Sequence, residues 1–180
     1  MDSLELLLNR HSCAKLSEPA PTGKALENIY LAGLKTPDHG DLRPWRFIEI
    51  QGKGLDKLTE IFVEATQATG GNVAKAQQMA YRAPLIIAAI ASCVDHPKVP
   101  EIEQLLSAGC AVQAMQMAAL AQGFNGIWRS GALSYDPLVK EKLGLAEKEQ
   151  IVGFLYLGTP AASPIQKKPY AISDFVTSLA

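Results

Sequence analysis

The chain has 180 residues, of which 48% are hydrophobic and 19% charged, with a formal net charge of −1. At roughly 150 residues per domain this length predicts one domain spanning 1–180 with a single core, and the apolar content excludes a disordered chain. The near-neutral balance, without a run of Lys or Arg, argues against a nucleic-acid partner, while a charged fraction below the usual ~25% points to surface covered by a partner.

In chain order, residues 3–9 read as a short helix and 12–22 as a loop holding Pro19 and Pro21. Over 22–35, Leu26, Ile29, Tyr30 and Leu34 recur at helical spacing and Pro37 supplies the stop. A polar loop, DHGDLRP at 38–44, precedes a strand over 45–50 with Trp45 and Phe47 on one face and Arg46 and Ile48 on the other. After a turn at 51–54 a helix covers 55–69, Gly70-Gly71-Asn72 breaks it, and a shorter helix covers 73–82. PLIIAAIASC at 84–93 is apolar on both faces, which predicts a central strand covered above and below.

Residues 101–122 form the longest predicted helix, buried because its second half is apolar nearly all round. Its Ala108, Gly109, Ala111, Ala114, Ala118 and Ala119 let another backbone come close, and Gly123 is placed to end it. A strand is predicted over 125–133, a small helix from Asp136-Pro137 to Gly144, and the last central strand over 151–157. The tail 158–180, with Pro160, Pro164 and Pro169, is expected to lie extended across a surface. Strands alternating with helices and buried on both faces predict three layers, helix, sheet, helix; the spacing leaves strand direction open.

The charge-free stretch 107–128 contains Gln113, Gln116, Gln122, Asn125 and three glycines, so it reads as a buried helix rather than a membrane span. The start MDSLELLLNRHS has no basic segment before a long apolar run, so no signal peptide is expected. Cys13, Cys93 and Cys110 form neither a CxxC pair nor a disulfide framework, and a cytoplasmic chain with reduced thiols is the expectation.

No G-x-S-x-G motif stands behind a hydrolase, and His11, His39 and His96 lack metal-site spacing, so no metal is expected. Gly52-Lys53-Gly54 lacks the third glycine of a dinucleotide fingerprint and reads as a turn. Two basic-plus-hydroxyl clusters remain, Arg10-His11-Ser12 and Trp128-Arg129-Ser130-Gly131. The first is open to helix capping or anion binding. In the second, an Arg on an apolar strand needs an acceptor, and its fork of donors suits phosphate.

NRHS at 9–12, TPDHGDLRPWRF at 36–47, YRAPLIIAAIA at 81–91, SAGCAVQAMQMAALAQGFNGIWRSG at 107–131 and IVGFLYLGTP at 151–160 together resemble the FMN-dependent nitroreductase family, its short members most. The resemblance runs in order over essentially the whole chain. It implies an α+β fold, a three-layer α/β/α sandwich with a mainly antiparallel central sheet, in an intertwined homodimer with two FMN at the subunit interface. It implies that Arg10, His11 and Ser12 hold the flavin's phosphate and ribityl side and that Trp128, Arg129 and Ser130 contact it from the same subunit. Lys35 and His39 would come from the other subunit, and Ala118, Ala119, Leu120, Ala121, Gln122 and Gly123 would meet NAD(P)H.

The implied reaction is ping-pong hydride transfer from NAD(P)H to FMN and on to a nitroaromatic or quinone-like small-molecule acceptor. FMN carries that chemistry, so no catalytic side chain is expected. Arg10 or Lys35 would supply a cation near the flavin's N1 edge. A flavin-binding protein with little turnover, or a flavoenzyme with another acceptor, are the alternatives. Two departures stand out. Asp41-Leu42-Arg43-Pro44-Trp45 replaces the family's N-x-Q-P-W, which removes an amide contact at Asp41, and Lys168-Pro169-Tyr170 replaces K-P-R, which removes an Arg beside Lys168.

Overall fold

Beginning at the N-terminus, Asp2 accepts the Leu4 N–H at 2.8 Å and so starts α1 (Ser3–Asn9) in the computed structural model, which describes residues 2–162 and 170–179. The loop that follows contains a two-residue strand, β1 (Leu16–Ser17), too short to leave a periodic signal in the sequence. α2 (Gly23–Gly33) ends ahead of Pro37, and a tight turn at His39–Asp41 leads into β2 (Trp45–Gln51). α3 (Lys53–Ala68) and α4 (Val73–Gln77) come next, α4 being capped by the Asn72 side chain on Lys75 N–H at 2.9 Å. The predicted helix 73–82 is therefore split: α4 stops at Gln77 and a separate 3-10 turn covers Ala80–Arg82, ahead of Pro84, whose ring disfavours helix at Ala83.

β3 (Leu85–Ala91) is buried at every position. Its Ile86, Ala88 and Ile90 pack with Phe62 of α3, while Leu85, Ile87 and Ala89 pack with Ile29 of α2 and Met115 of α5 (Glu101–Ala121). This is the two-faced central strand read from PLIIAAIASC. β4 (Asn125–Arg129), α6 (Ala132–Tyr135), α7 (Pro137–Lys142) and β5 (Gln150–Pro160) complete the core. The predicted strand 125–133 is cut short at Arg129, because Gly131 adopts a positive φ of 137° and accepts the Ser134 N–H at 2.9 Å, starting α6. β5 continues three residues past its predicted end to pair with β1, so the tail begins as strand.

All pairings are antiparallel. β3 lies between β2 and β5, and β5 carries β4 and then β1 along its other edge. α2 and α5 cover one face and α3, α4, α6 and α7 the other, which gives the expected three-layer α+β sandwich. α2 comes close to the small-residue wall of α5 at Ala111: a Cβ at Gly33 would sit 3.5 Å from the Ala111 carbonyl, and 2.8 Å from the Met115 side chain. Among the described residues no helix is long and apolar enough to cross a membrane.

Candidate functional site

The two basic clusters of the sequence sit at opposite ends of β4. At its start, the Asn125 side-chain oxygen accepts the Gly126 N–H at 2.7 Å, which leaves the Asn125 amide to donate to His11 Nε2 at 3.0 Å. His11 Nδ1 then donates to the Asn9 carbonyl at 3.1 Å, so both ring nitrogens are engaged. Gly126 O accepts from Cys13 N–H at 3.0 Å and from Gln116 Nε2 at 2.8 Å. These bonds lay the segment from Asn9 to Cys13 along the free edge of β4. Arg10 is half-buried there and Ser12 exposed, and neither side chain has a hydrogen-bond or ion-pair partner among the described residues.

At the other end, about 13 Å away at the rise of a strand, the register of β5 slips. Ala89 pairs with Gly153 but Ile90 with Ile151, so Val152 is the extra residue of a bulge. The freed Val152 carbonyl accepts the Trp128 indole N–H at 3.3 Å, and the ring lies against Gly153 and, 3.4 Å from a Cβ built there, Gly109 of α5. Any side chain at Gly153 would overlap the indole. Strand alternation turns Arg129 the other way, over the Tyr156 ring at 5.7 Å on the α3 side of the sheet. Trp128 and Arg129 thus cannot both present side chains to one flat ligand, and the shared contact expected of them divides between two faces. Burial, with the neighbouring Arg82 charge, lowers the Arg129 pKa.

Lys35 and His39 lie elsewhere in the subunit. His39 Nδ1 is 2.6 Å from Glu103, roughly 20 Å along α5 from Gln116 beside the His11 anchor. Lys35 is exposed without a partner among the described residues; the next residue, Thr36, has a buried hydroxyl with none. Within one chain His39 is not brought to the Arg10 cluster. The departures at 41–45 serve each other: Asp41 and Arg43, both with positive φ, pair at 2.7 Å, and Asp38 accepts the Arg43 N–H. Lys168 lies outside the described residues.

Of the segment expected to meet the nucleotide, Ala119 is fully buried in the core, and the Gln122 amide donates to Ala25 O at 3.1 Å and accepts from Asn28 at 3.0 Å across the α2–α5 contact. Ala118 and Leu120 are half-buried; only Ala121 and Gly123 are exposed. Sequence reading missed Asn125, Gln116 and Gly153, which position the segment around His11 and the indole. The available signal was two amides inside otherwise apolar elements and a glycine inside a central strand. A cavity of about 400 Å³ is lined by residues that include Cys93, Glu101 and Lys148 and by none of the candidates. Among the described residues no cluster of His, Cys, Asp or Glu is placed to hold a metal.

The profile described as "Nitroreductase family" matches residues 7–159. A relative from Escherichia coli (strain K12), named "Putative NAD(P)H nitroreductase YdjA", is 53% identical over 163 residues, covering 89% of each chain. Among solved structures, a nitroreductase-like family protein from Bacillus cereus superposes with a TM-score of 0.86 at 22% identity over 99% of this chain and 96% of that one. A Desulfovibrio desulfuricans protein described as "a putative nitroreductase in complex with fmn" does so with 0.77 at 19% identity, over 98% and 96%.

Proposed function

This chain belongs to the nitroreductase family, an oxidoreductase family, and from that membership we propose that it is an FMN-dependent NAD(P)H oxidoreductase that reduces nitroaromatic or quinone-like acceptors by a ping-pong sequence. The observation that carries the reading is a set of donors without partners among the described residues, Arg10, Ser12 and Lys35, with the flat Trp128 cradle at the far end of the strand that the first two flank. The donor chemistry fits FMN, which needs cations and a hydroxyl at its phosphate and a flat apolar surface at its ring.

When bound, FMN supplies the centre that accepts and gives up hydride. Arg10 and Ser12 hold the phosphate and ribityl side. His11, bonded at both nitrogens, fixes the path of the chain between them. Trp128 and Ser130 contact the ring side, with the Arg129 backbone between them. Lys35 and His39 of the partner subunit would complete the site, Lys35 bringing a positive charge to the ring side. The nucleotide meets the exposed end of α5 at Ala121 and Gly123.

The homodimer that this requires is supported by apolar surface. Ile102, Leu106, Cys110 and Gln113 form one exposed stripe along α5, with Leu7 and Leu8 of α1 and Leu34 just past α2 also exposed. Anaerobic stopped-flow mixing of the FMN-loaded protein with NADH and with NADPH tests the activity. Rapid bleaching of the flavin absorbance, reversed by a nitroaromatic or a quinone, is expected. No bleaching at millimolar nucleotide would make the chain a flavin-binding protein with little turnover.

A further inference from the structure

The first two turns of α5 carry three polar side chains that reach out to loops. Gln104, buried, accepts the Val94 N–H at 2.9 Å and donates to the Val94 and Val99 carbonyls at 2.8 and 3.2 Å. Ser107, also buried, donates to the Pro37 carbonyl at 2.6 Å. Glu103 differs from both, because it is exposed and its carboxylate lies 2.6 Å from His39 Nδ1. A Glu at the third position of a helix often bonds back to the N–H of the residue that caps it. Here that residue is Pro100, which has no N–H, so Glu103 has no such duty. Its charge suits the helix N-terminus, as that of Glu101 does, but this needs no contact with His39. An exposed pair also adds little to stability. What the contact does fix is the ring of His39.

The backbone around that ring is already held. Ser107 pins Pro37, Asp38 accepts the Arg43 N–H, and the Asp41–Arg43 pair braces the turn at His39–Asp41. With the main chain set, the freedom that remains is rotation of the imidazole about its side-chain bonds, and the bond to Glu103 restricts it. An ionised carboxylate only accepts, so Nδ1 carries a proton toward Glu103. Nε2, which has no partner among the described residues, is the nitrogen left to bond elsewhere. We propose that Glu103 is a positioning residue for the flavin site of the partner subunit, holding the His39 ring before FMN arrives and leaving Nε2 free for it. This role rests on the flavin reading, because it needs His39 to reach the FMN of the other subunit. A ring ordered in advance need not be ordered on binding, so the effect falls on FMN affinity.

FMN affinity, read from the quenching of flavin fluorescence, is compared for the wild type, Glu103→Ala, Glu103→Gln, His39→Ala and the double variant. His39→Ala should weaken FMN binding about tenfold, Glu103→Ala about fivefold, and Glu103→Gln, which keeps an acceptor, about twofold. In the His39→Ala background, Glu103→Ala should add nothing. Nitrogen-15 spectra of the imidazole rings at mildly alkaline pH, with the His39 signals identified by their loss in His39→Ala, supply a readout independent of turnover. They should show His39 Nδ1 protonated in the flavin-free wild type and no longer so in Glu103→Ala, and FMN should move Nε2 more than Nδ1. Thermal unfolding of flavin-free Glu103→Ala should match the wild type. A Glu103→Ala variant that binds FMN as the wild type does, keeps Nδ1 protonated, acts equally without His39 or unfolds at markedly lower temperature would overturn the proposal and leave the flavin reading standing. Wild-type affinity in His39→Ala would remove His39 from the flavin site, and a wild type that binds no FMN would contradict the function proposed above; either result overturns this role as well.

Discussion

Single side chains divide into those that hold the frame and those left without a protein partner. Glu149 belongs to the frame: Arg46 donates to it with both Nε and a terminal nitrogen at 2.6 Å, Ser92 donates at 2.6 Å, and Ala146 N–H at 2.9 Å, tying β2 and the end of β3 to the entry of β5. The Arg46 guanidinium first, then the other donors, bring the Glu149 pKa down to about 2. A lowered carboxylate stabilises the fold above its unfolded value near 4.3 and loses that contribution as pH falls toward 2. Solvent reaches the rim of the pair, so Glu149→Gln should cost about 1–2 kcal/mol at pH 7 and almost nothing near pH 2. Urea unfolding of both proteins at pH 7, 4 and 3 measures this, and parallel pH profiles would count against it. At this scale the sequence exposed Arg10, His11 and Arg129 as polar groups needing partners. It could not show that His11 turns inward onto Asn125, since that bond joins residues 114 apart.

Among the elements, β4 and β5 fix where the indole lies. The bulge at Val152 frees the carbonyl that takes the Trp128 N–H, and Gly153 leaves the space for the ring. Gly153→Ala should displace Trp128, lower stability by about 1–3 kcal/mol and shift tryptophan emission to the red. Of the two tryptophans, the other, Trp45, is only 9% exposed, so the change reports on Trp128. An unchanged emission maximum would mean that the indole does not depend on that glycine. The periodic elements, α2, α3, α5 and the two-faced β3, were legible because helix spacing and continuous burial write themselves into the chain. β1, the bulge and the early end of β4 were not, because each follows from pairing with β5 or from the backbone of a single glycine.

For the whole molecule, the shortage of charge has a location in the exposed stripe of α5 and the leucines of α1 and α2. The same geometry leaves His39 remote from the Arg10 cluster of its own chain, so a flavin site containing both requires two chains. Family, layers and strand direction were all present in the ordered motifs; the assembly and the flavin are where the account is most exposed. The most direct test is light scattering with absorbance detection on the wild type and Arg10→Ala after reconstitution with FMN. The wild type should elute at twice the chain mass with one FMN per chain, and Arg10→Ala at the same mass with reduced flavin. A colourless monomer, or an Arg10→Ala variant with full flavin and unchanged turnover, would contradict it.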